Sequence, residues 1–384
     1  MRGDTVTLFL CGDVMLGRGV DQILPHPGDP ALWERYTADA RSYVELAEAV
    51  NGPITRPVEH TWPWGDALGM LDQVAPDARV LNLETSVTSS NDFAAGKEVH
   101  YRMHPANLPC LAAARPDVCV LANNHVLDFG RRGLEETLDS LAGAGLRAVG
   151  AGRDVDEAQR PAVVAVQGGA RVLVFSFGMS SSGIPRSWAA DEDRAGVDFV
   201  AQPSDAAAAN VARRVRQAKR PGDVSVASVH WGSNWGYGIS RSQVRFAHAL
   251  IDGGVDVVHG HSSHHPRPLE LYRGKLVLYG CGDFIDDYEG ITGYEQYRDD
   301  LRLLYFVTVD RDTGKAPDVR MAAVQSRRMR LRHASGEDRE WLRATLDGVS
   351  RGFGVGVGLE PGGMLVAGGL DGPYTDVDEG RARA

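Results

Sequence analysis

The sequence lacks the patterns that mark membrane, secreted and nucleic-acid-binding proteins. No run of about 18 apolar residues occurs, which argues against a membrane-spanning helix. The opening residues "MRGDTVTLFLCGDVMLGR" have no signal-peptide layout, because their apolar run is short and follows Asp4. A formal net charge of −10 disfavours nucleic acid or an anionic membrane as the main partner. We therefore expect a cytoplasmic protein.

Cysteine is also scarce. The four cysteines are Cys11, Cys110, Cys119 and Cys281, and none forms a CxxC pair. All four lie in apolar surroundings, which predicts buried free thiols in a reducing compartment. Disulfide frameworks and thiolate metal sites are therefore not expected.

The length and composition are those of an ordinary globular enzyme. The chain has 384 residues, of which 43% are hydrophobic and 24% are charged. We predict one catalytic domain over residues 1–335 and a C-terminal extension over residues 336–384. The final ten or so residues, within "GPYTDVDEGRARA", are expected to be disordered.

Strand-like runs alternate with helical patterns along the chain. In "GRRGLEETLDSLAGAGL", Leu134, Leu138 and Leu141 recur at helical spacing, and "SRSQVRFAHALIDGG" repeats the pattern before a Gly-Gly stop. The strand-like runs are "TVTLFLC", "ARVLNLE", "VCVLANNH", "ARVLVFSFG", "DVSVASVHWG", "VDVVHGH" and "KLVLYGCGDF". This alternation predicts an α/β fold with a partly parallel sheet.

Polar residues with metal-binding chemistry recur where these strands end. They are Asp13, Glu84, Asn124, His125, His230, His259 and His261. A single Asp or Asn after a strand is usually a turn former or a helix cap. Recurrence at so many strand ends instead indicates a site, because ligands bind at that edge of open α/β sheets.

The predicted donor set contains oxygen and nitrogen ligands but no thiolate. Such a set suits divalent Zn, Mn, Fe, Co or Ni, and leaves their identity open. The donors are too many for one tetrahedral ion, and they suit two ions about 3.5–4 Å apart with a bridging carboxylate. Glu84 is the candidate bridge.

Several motifs together resemble one protein family. The motifs "GDVMLGR", "NLETSVT", "LANNHVLDFG", "HWG" and "DVVHGHSSHHPRPLELYRGKLVLYGCGDF" resemble the CapA group of the calcineurin-like metallophosphoesterase superfamily. That group is named for poly-γ-glutamate capsule synthesis, and the resemblance runs from about residue 7 to residue 310. It implies a two-layer β-sandwich flanked by helices, with two metal ions at the strand ends.

The resemblance also implies roles for individual residues. Asp13 would bind the first ion and Glu84 would bridge the two. Asn124, His230 and His261 would bind the second ion. His125 would be the acid/base residue, and Asp128 would orient it.

The chain departs from the superfamily pattern at three points. Met15 stands where a histidine ligand is usual, and Glu84 replaces the usual bridging aspartate. The closing motif reads Gly-His-Ser-Ser-His, so either His259 or His264 could be the last ligand. His259 is slightly favoured, because it shares a strand face with His261. The histidine that binds no metal becomes a candidate acid or base.

Candidate substrate contacts surround these motifs. Arg18 could clamp a carboxylate or phosphate, and a structural salt bridge is the alternative. Trp231 and Trp235 could form a substrate wall, and plain packing is the alternative. His265 completes this set. Asp283, Asp286 and Asp287 could orient ligating imidazoles, but solvated loop carboxylates are the favoured alternative.

Three reactions fit such a site. We rank first the epimerisation of a peptide Cα, as in the lasso-peptide epimerases that resemble this group and act on ribosomal precursor peptides. Hydrolysis of a γ-glutamyl or peptide amide follows, and then phosphoester hydrolysis. The surplus of histidines beyond the metal ligands favours acid/base chemistry from two sides. The expected partner is a peptide or poly-amide substrate, and the sequence favours no oligomeric state.

Overall fold

The apolar runs of the sequence form two large sheets in the structure, a computed structural model that describes residues 4–370. The strands are β1 (Thr5–Val14), β2 (Ala78–Leu83), β3 (Ser86–Val87), β4 (Arg102–Met103), β5 (Val118–Val120), β6 (Arg147–Val149), β7 (Ala151–Gly152), β8 (Ala162–Ala165), β9 (Arg171–Met179), β10 (Gly196–Val197), β11 (Phe199–Val200), β12 (Val224–His230), β13 (Val257–His261), β14 (Leu269–Tyr272), β15 (Lys275–Leu278), β16 (Asp283–Ile285), β17 (Leu301–Asp310), β18 (Asp318–Ser326), β19 (Leu331–His333), β20 (Val355–Leu359) and β21 (Leu365–Gly369). The α-helices are α1 (Arg18–Ile23), α2 (Arg41–Asn51), α3 (Ala67–Val74), α4 (Leu108–Ala112), α5 (Gly130–Gly143), α6 (Val155–Gln159), α7 (Asp205–Ala218), α8 (Arg241–Asp252) and α9 (Gly336–Ser350). The predicted α/β class is confirmed.

The first sheet has ten strands and joins a parallel part to an antiparallel part. Its order is β20-β21-β18-β17-β1-β2-β5-β6, with β16 paired to β1 and β19 paired to β18. The strands β1, β2, β5 and β6 run parallel to one another. Parallel strands end at one edge of a sheet, so the polar residues that follow β1, β2 and β5 are brought together.

The second sheet has seven strands and presents histidines at its edge. Its order is β11-β9-β12-β13-β15-β14, with β8 paired to β9. The strands β9, β12, β13 and β15 are parallel, and His230 lies directly opposite His261 in the register of β12 and β13. The two imidazoles therefore lie side by side where both strands end.

The two sheets pack face to face and carry helices on their outer faces. In β1, Leu8 and Leu10 enter the core between the sheets, whereas Phe9 belongs to the core on the other face, which also holds buried residues of α1 to α5. In β12, Val226 faces the other sheet and Val229 packs against α7 and α8. This period of two is that of a strand buried on both faces. The predicted two-layer sandwich flanked by helices is confirmed.

The chain after residue 335 completes the first sheet. The Ser335 side chain caps α9, which places Leu342 and Leu346 in the core between the sheets. The hairpin of β20 and β21 then joins the sheet by antiparallel pairing of β21 with β18. The expected boundary at residue 335 stays a prediction, and the expected C-terminal disorder lies outside the described residues after Leu370.

The structure bears on the expected free cysteines and on the expected lack of a membrane-spanning helix. Cys11, Cys110, Cys119 and Cys281 are all buried and free. Among residues 4–370, no helix combines the length and the apolar character needed to cross a membrane.

Candidate metal centre

Three side chains from three strands meet where the two sheets come together. Asp13 is the penultimate residue of β1, and His230 and His261 are the last residues of β12 and β13. One ligand atom from each lies within 4.8 Å of the other two, and all three residues are buried. The recurrence of polar residues at strand ends thus identified side chains that the fold does bring together.

The two histidines of this trio face each other. Their Nδ1 atoms are 2.7 Å apart, and His261 Nε2 is 2.9 Å from Ser228 Oγ. Burial lowers the pKa of His230 and of His261 well below the usual value. Both rings are therefore neutral near pH 7, and the neutral imidazole is the form that binds a metal ion.

Two buried carboxylates lie on the first-sheet side of the trio. Asn82 Nδ2 donates to Asp13 Oδ1 at 2.8 Å and to Glu84 Oε2 at 2.9 Å. Burial, followed by the neighbouring Asp283 carboxylate, raises the pKa of Asp13 to about 7. Burial, followed by Asp13, raises the pKa of Glu84 well above its usual value. A divalent cation would favour the ionised form of these carboxyls, which burial alone disfavours.

The donor set therefore fits a divalent metal ion. Asp13 supplies oxygen and the two histidines supply neutral imidazole nitrogen. Glu84 Oε1 lies 3.6 Å from His230 Nε2, and Asn124 Oδ1 lies 2.7 Å from the same atom. The predicted ligands Glu84 and Asn124 thus border the trio. Mixed oxygen and imidazole sets suit Zn, Mn, Fe, Co or Ni.

Amide side chains hold the first-sheet part of this site in place. Asn123 Nδ2 donates to Asn82 Oδ1 at 3.0 Å and to the Leu83 carbonyl at 2.8 Å, and Asn123 Oδ1 accepts from the His125 backbone N–H at 3.1 Å. The sequence motifs contain Asn82 and Asn123, but nothing in their spacing indicates this network. The network links the residues after β2 to those after β5.

His125 pairs with Asp128 beside the trio. Its Nδ1 is 2.6 Å from Asp128 Oδ2, which also accepts from the Tyr101 backbone N–H at 2.7 Å. Its Nε2 points toward the site and lies 3.9 Å from Glu84 Oε1. Burial lowers the pKa of His125 to about 4, although Asp128 opposes the shift. The distance suits the predicted orienting role of Asp128.

His264 forms a second His–Asp pair. Its Nδ1 lies 3.0 Å from Asp283 Oδ1, and its Nε2 lies 3.0 Å from Asn234 Nδ2. Burial acts to lower the pKa of His264, but Asp283 and other carboxylates outweigh it and the pKa is raised. The expectation of solvated carboxylates at Asp283, Asp286 and Asp287 was wrong, because all three are buried. Asp283 is buried because β16 pairs with β1 and brings it opposite Asp13, while Asp286 and Asp287 are buried in ion pairs with Arg302 and Arg18.

His259 connects the two sheets. Its Nε2 lies 2.8 Å from the Cys11 carbonyl oxygen of β1, and its Nδ1 lies 3.0 Å from Ser228 Oγ. Burial lowers the pKa of this imidazole to about 4. The predicted ligand role of His259 stays a prediction.

Arg18 forms buried ion pairs with two carboxylates, and its predicted contact with substrate stays a prediction. Its Nε donates to Asp287 Oδ2 at 3.1 Å, and another guanidinium nitrogen donates to Glu34 Oε1 at 3.1 Å. The guanidinium carbon lies 3.8 Å from the centre of the Tyr43 ring and 4.5 Å from that of Tyr101. The structure therefore shows the salt-bridge alternative. Asp287 lies 269 residues away in sequence, so no local pattern could indicate the pairing.

Trp231 lies in the core beneath the site. Its side chain is buried among residues that include Phe246 and Tyr279, and its indole N–H donates to the Tyr279 carbonyl at 3.0 Å. This is the packing alternative to a substrate wall. Trp231 therefore supports the strand end that carries His230.

Trp235 and His265 belong to an aromatic cluster at the rim. Trp235 stacks on Tyr294 with ring centres 3.9 Å apart, and its ring centre is 5.2 Å from that of His264. The His265 ring lies 4.4 Å from that of Tyr297. The predicted substrate contacts of Trp235 and His265 stay predictions, and the cluster borders the His264 pair.

Lys97 is a site residue that no sequence pattern indicates. Its Nζ lies 2.9 Å from His125 Nδ1 and also contacts Asp128 Oδ1 and the Asn124 carbonyl. It stands in the loop "FAAGKEVH", which has no motif spacing and no periodicity. Its one distinguishing feature in the sequence is rarity, because the chain has only four lysines.

Comparison with known proteins finds a matching family and several relatives. The family described as bacterial capsule synthesis protein PGA_cap matches residues 7–288. A Mycobacterium tuberculosis (strain CDC 1551 / Oshkosh) protein, named probable polyglutamine synthesis accessory protein, is 55% identical over 94% of this chain and 96% of that protein. The PGA biosynthesis protein CapA of Bacillus subtilis (strain 168) is 26% identical over 79% of this chain and 68% of its own length.

More distant similarity includes a further capsule protein and a solved structure. The capsule biosynthesis protein CapA of Bacillus anthracis is 23% identical over 82% of this chain and 66% of its own length. The crystal structure of TT1561 of Thermus thermophilus aligns with 84% of this chain and 99% of that chain, at 10% identity and a TM-score of 0.38.

Proposed function

The chain belongs to the PGA_cap family of bacterial capsule synthesis proteins, and from this premise we propose that it is a metal-dependent enzyme that acts on glutamyl amide chains. The observation that carries the proposal is the buried Asp13–His230–His261 trio with two His–Asp pairs beside it. Relatives named for polyglutamine, PGA and capsule synthesis support a substrate built from amide-linked residues.

The proposed metal ligands divide into two groups. Asp13, His230 and His261 would hold one divalent ion. Glu84 and Asn124 border that position and would contribute to a second ion. This division differs from the one that the resemblance implies, which puts Asp13 on the first ion and His230 and His261 on the second. A bound ion of this kind polarises an amide carbonyl and makes a nearby water or C–H group more acidic.

The proposed acid/base groups are the two His–Asp pairs. His125 presents Nε2 to the site, while its Nδ1 is held by Asp128. His264 keeps its proton to higher pH than His125, because Asp283 raises its pKa whereas burial lowers that of His125 to about 4. Two histidines with separated pKa values can divide the giving and the taking of a proton.

Amide hydrolysis or transfer is the first proposed reaction. One pair would take a proton from the attacking water or amine, and the other would protonate the leaving nitrogen. The names of the relatives concern synthesis of a polymer or capsule, which fits trimming or transfer of an amide-linked chain.

Epimerisation of a peptide Cα is the second candidate. It is favoured by the same two pairs, since one histidine can remove the Cα proton while another returns a proton to the opposite face. No water is consumed in this reaction, and the chain keeps its length.

Incubation in D₂O separates these reactions. The purified protein, supplied separately with Zn²⁺ and Mn²⁺, is mixed with poly-γ-glutamate oligomers, and the products are followed by mass spectrometry. Shorter oligomers without Cα deuterium support amide cleavage. Oligomers of unchanged length that gain deuterium support epimerisation. Phosphate release from a generic ester with no change in the oligomers would contradict both.

The variant His125→Ala tests the acid/base assignment. Turnover should fall by about 10²–10⁴-fold, the usual loss when a general acid or base is removed. Metal content, measured by elemental analysis, should stay at the wild-type level. The matched control is His248→Ala. His248 lies on α8, where its Nε2 is 2.8 Å from Glu270 Oε1, and its loss should leave turnover unchanged. Loss of metal from His125→Ala would show that the assigned role is wrong.

A further inference from the structure

Lys97 reaches the His125–Asp128 pair from a surface loop. Its Nζ lies 2.9 Å from His125 Nδ1 and contacts Asp128 Oδ1 and the Asn124 carbonyl oxygen. The side chain is only 20% exposed, so water competes weakly for the ammonium group. The charge of Lys97 therefore acts on the pair at close range.

His125 Nδ1 has two neighbours with opposite hydrogen-bonding demands. Asp128 Oδ2, at 2.6 Å, can only accept and so favours a proton on Nδ1. The Lys97 ammonium, at 2.9 Å, can only donate and so favours a bare Nδ1, which leaves the ring proton on Nε2. The ring is neutral in both forms, which differ only in the nitrogen that carries the proton.

An ordinary carboxylate–histidine pair has no such competition. A carboxylate alone holds the ring as the Nδ1–H tautomer and leaves a lone pair on Nε2. Here the Asp128 carboxylate also accepts from Lys97 and from the Tyr101 backbone N–H. Its negative charge is shared among three donors, which weakens its hold on the His125 proton.

We propose that Lys97 is a positioning residue that moves the ring proton of His125 from Nδ1 toward Nε2. Nε2 is the nitrogen that faces the site, 3.9 Å from Glu84 Oε1. With the proton there, His125 donates toward a substrate; with a lone pair there, it accepts. That consequence for turnover rests on the proposed function, whereas the tautomer itself is a property of the protein without substrate.

Nitrogen NMR of the full-length, metal-free protein tests the proposal directly. Histidine is labelled with ¹⁵N, and the His125 signals are assigned by their loss in His125→Gln. Protonated and bare ring nitrogens differ widely in chemical shift, so the tautomer ratio can be measured. In Lys97→Met the ratio of Nε2–H to Nδ1–H should fall by about tenfold or more, because a neighbouring charge shifts a proton equilibrium by roughly 1–3 pKa units.

Three further variants make the test specific. Lys97→Gln repeats the loss of charge with a polar side chain, in case Lys97→Met does not fold. Lys97→Arg keeps the charge and should keep the wild-type ratio. The matched control is Lys219→Met, because Lys219 is 22% exposed and also contacts a buried carboxylate, that of Asp256. Its loss should leave the His125 ratio unchanged.

The outcomes also separate this inference from the proposed function. Equal tautomer ratios in the wild type and in a folded, neutral Lys97 variant would overturn it. The same holds for a shift that Lys97→Arg or Lys219→Met reproduces, since charge at this position would then not be the cause. A shifted ratio in a protein inactive on glutamyl oligomers would leave the inference standing and count against the function alone.

Discussion

The first and second sheets supply opposite kinds of donor to one site. The first-sheet side brings the carboxylates of Asp13 and Glu84, and the second-sheet side brings the imidazoles of His230 and His261. Burial raises the pKa of the acids and lowers that of the histidines. The same low-polarity environment thus drives both halves toward their neutral forms. A bound cation would lower the pKa of the acids and restore their ionised form. The imidazoles are already in the neutral form that binds a cation.

The largest expected effect comes from removing one imidazole of the nitrogen half, which consists of His230 and His261. The change His261→Ala removes one member of the trio. Bound metal should fall to background, and kcat/KM should fall by at least about 100-fold, because even residues that only orient ligands cost 10–100-fold. Elemental analysis and turnover measure this. The exposed His333 supplies the control His333→Ala, and full metal content in His261→Ala would contradict the assignment.

Near the carboxylates of the first sheet, Arg18 forms buried ion pairs. Asp287 has Arg18, and Arg18→Met would leave Asp287 and Glu34 buried without it. The free energy of unfolding should fall by about 3–5 kcal/mol, the usual cost of removing one partner of a buried ion pair. Urea denaturation measures the change.

A double variant separates the structural role of Arg18 from a substrate role. Arg18→Met with Asp287→Asn removes both the cation and its main partner, so part of the lost stability should return. If Arg18 only supports the fold, KM of the folded double variant should equal that of the wild type. A large rise in KM would instead restore Arg18 as a substrate clamp.

The raised pKa of Asp13 predicts a pH dependence of stability. The pKa of Asp13 is about 7 in the folded protein, above its value in the unfolded chain, so the folded state binds the proton more tightly. The resulting stabilisation is fully present at a pH below the unfolded-state pKa, and it is lost as the pH rises through about 7. The metal-free wild type should therefore lose on the order of 3 kcal/mol, relative to Asp13→Asn, between about pH 4 and pH 7. Urea denaturation across that range measures this, with the exposed Asp193→Asn as control. A constant difference between wild type and Asp13→Asn would contradict the shift.

The smallest effect is expected from a substitution in the aromatic cluster at the rim of the site, which contains Trp235 and His265. Trp235→Phe should lower the free energy of unfolding by no more than about 1 kcal/mol, since the side chain is only half-buried and phenylalanine keeps a ring against Tyr294. If the aromatic cluster contacts substrate, binding should weaken by about 0.5–1.5 kcal/mol, read as a rise in KM. The buried Trp231→Phe should show the reverse pattern, with reduced stability and unchanged KM.

Much of the fold could be predicted because its signals are local. The run "TVTLFLC" indicates β1, and the apolar spacing in "SRSQVRFAHALIDGG" indicates α8, whose capping box at Ser240 confirms its start. Strand-end chemistry also indicated Asp13, His230 and His261, because parallel strands share one edge. By contrast, the burial of Asp283 depends on β16 pairing with β1, which no local pattern shows.

The sequence by itself determined which residues end the strands, and so which donors the site contains. Only the tertiary structure decided what each donor faces. Arg18 meets Asp287 across 269 residues, and Lys97 meets His125 from a loop without any periodic signal. Local patterns follow from backbone geometry within a few residues. Partners and pKa shifts follow from burial and from charges brought together by packing, which depend on the whole chain.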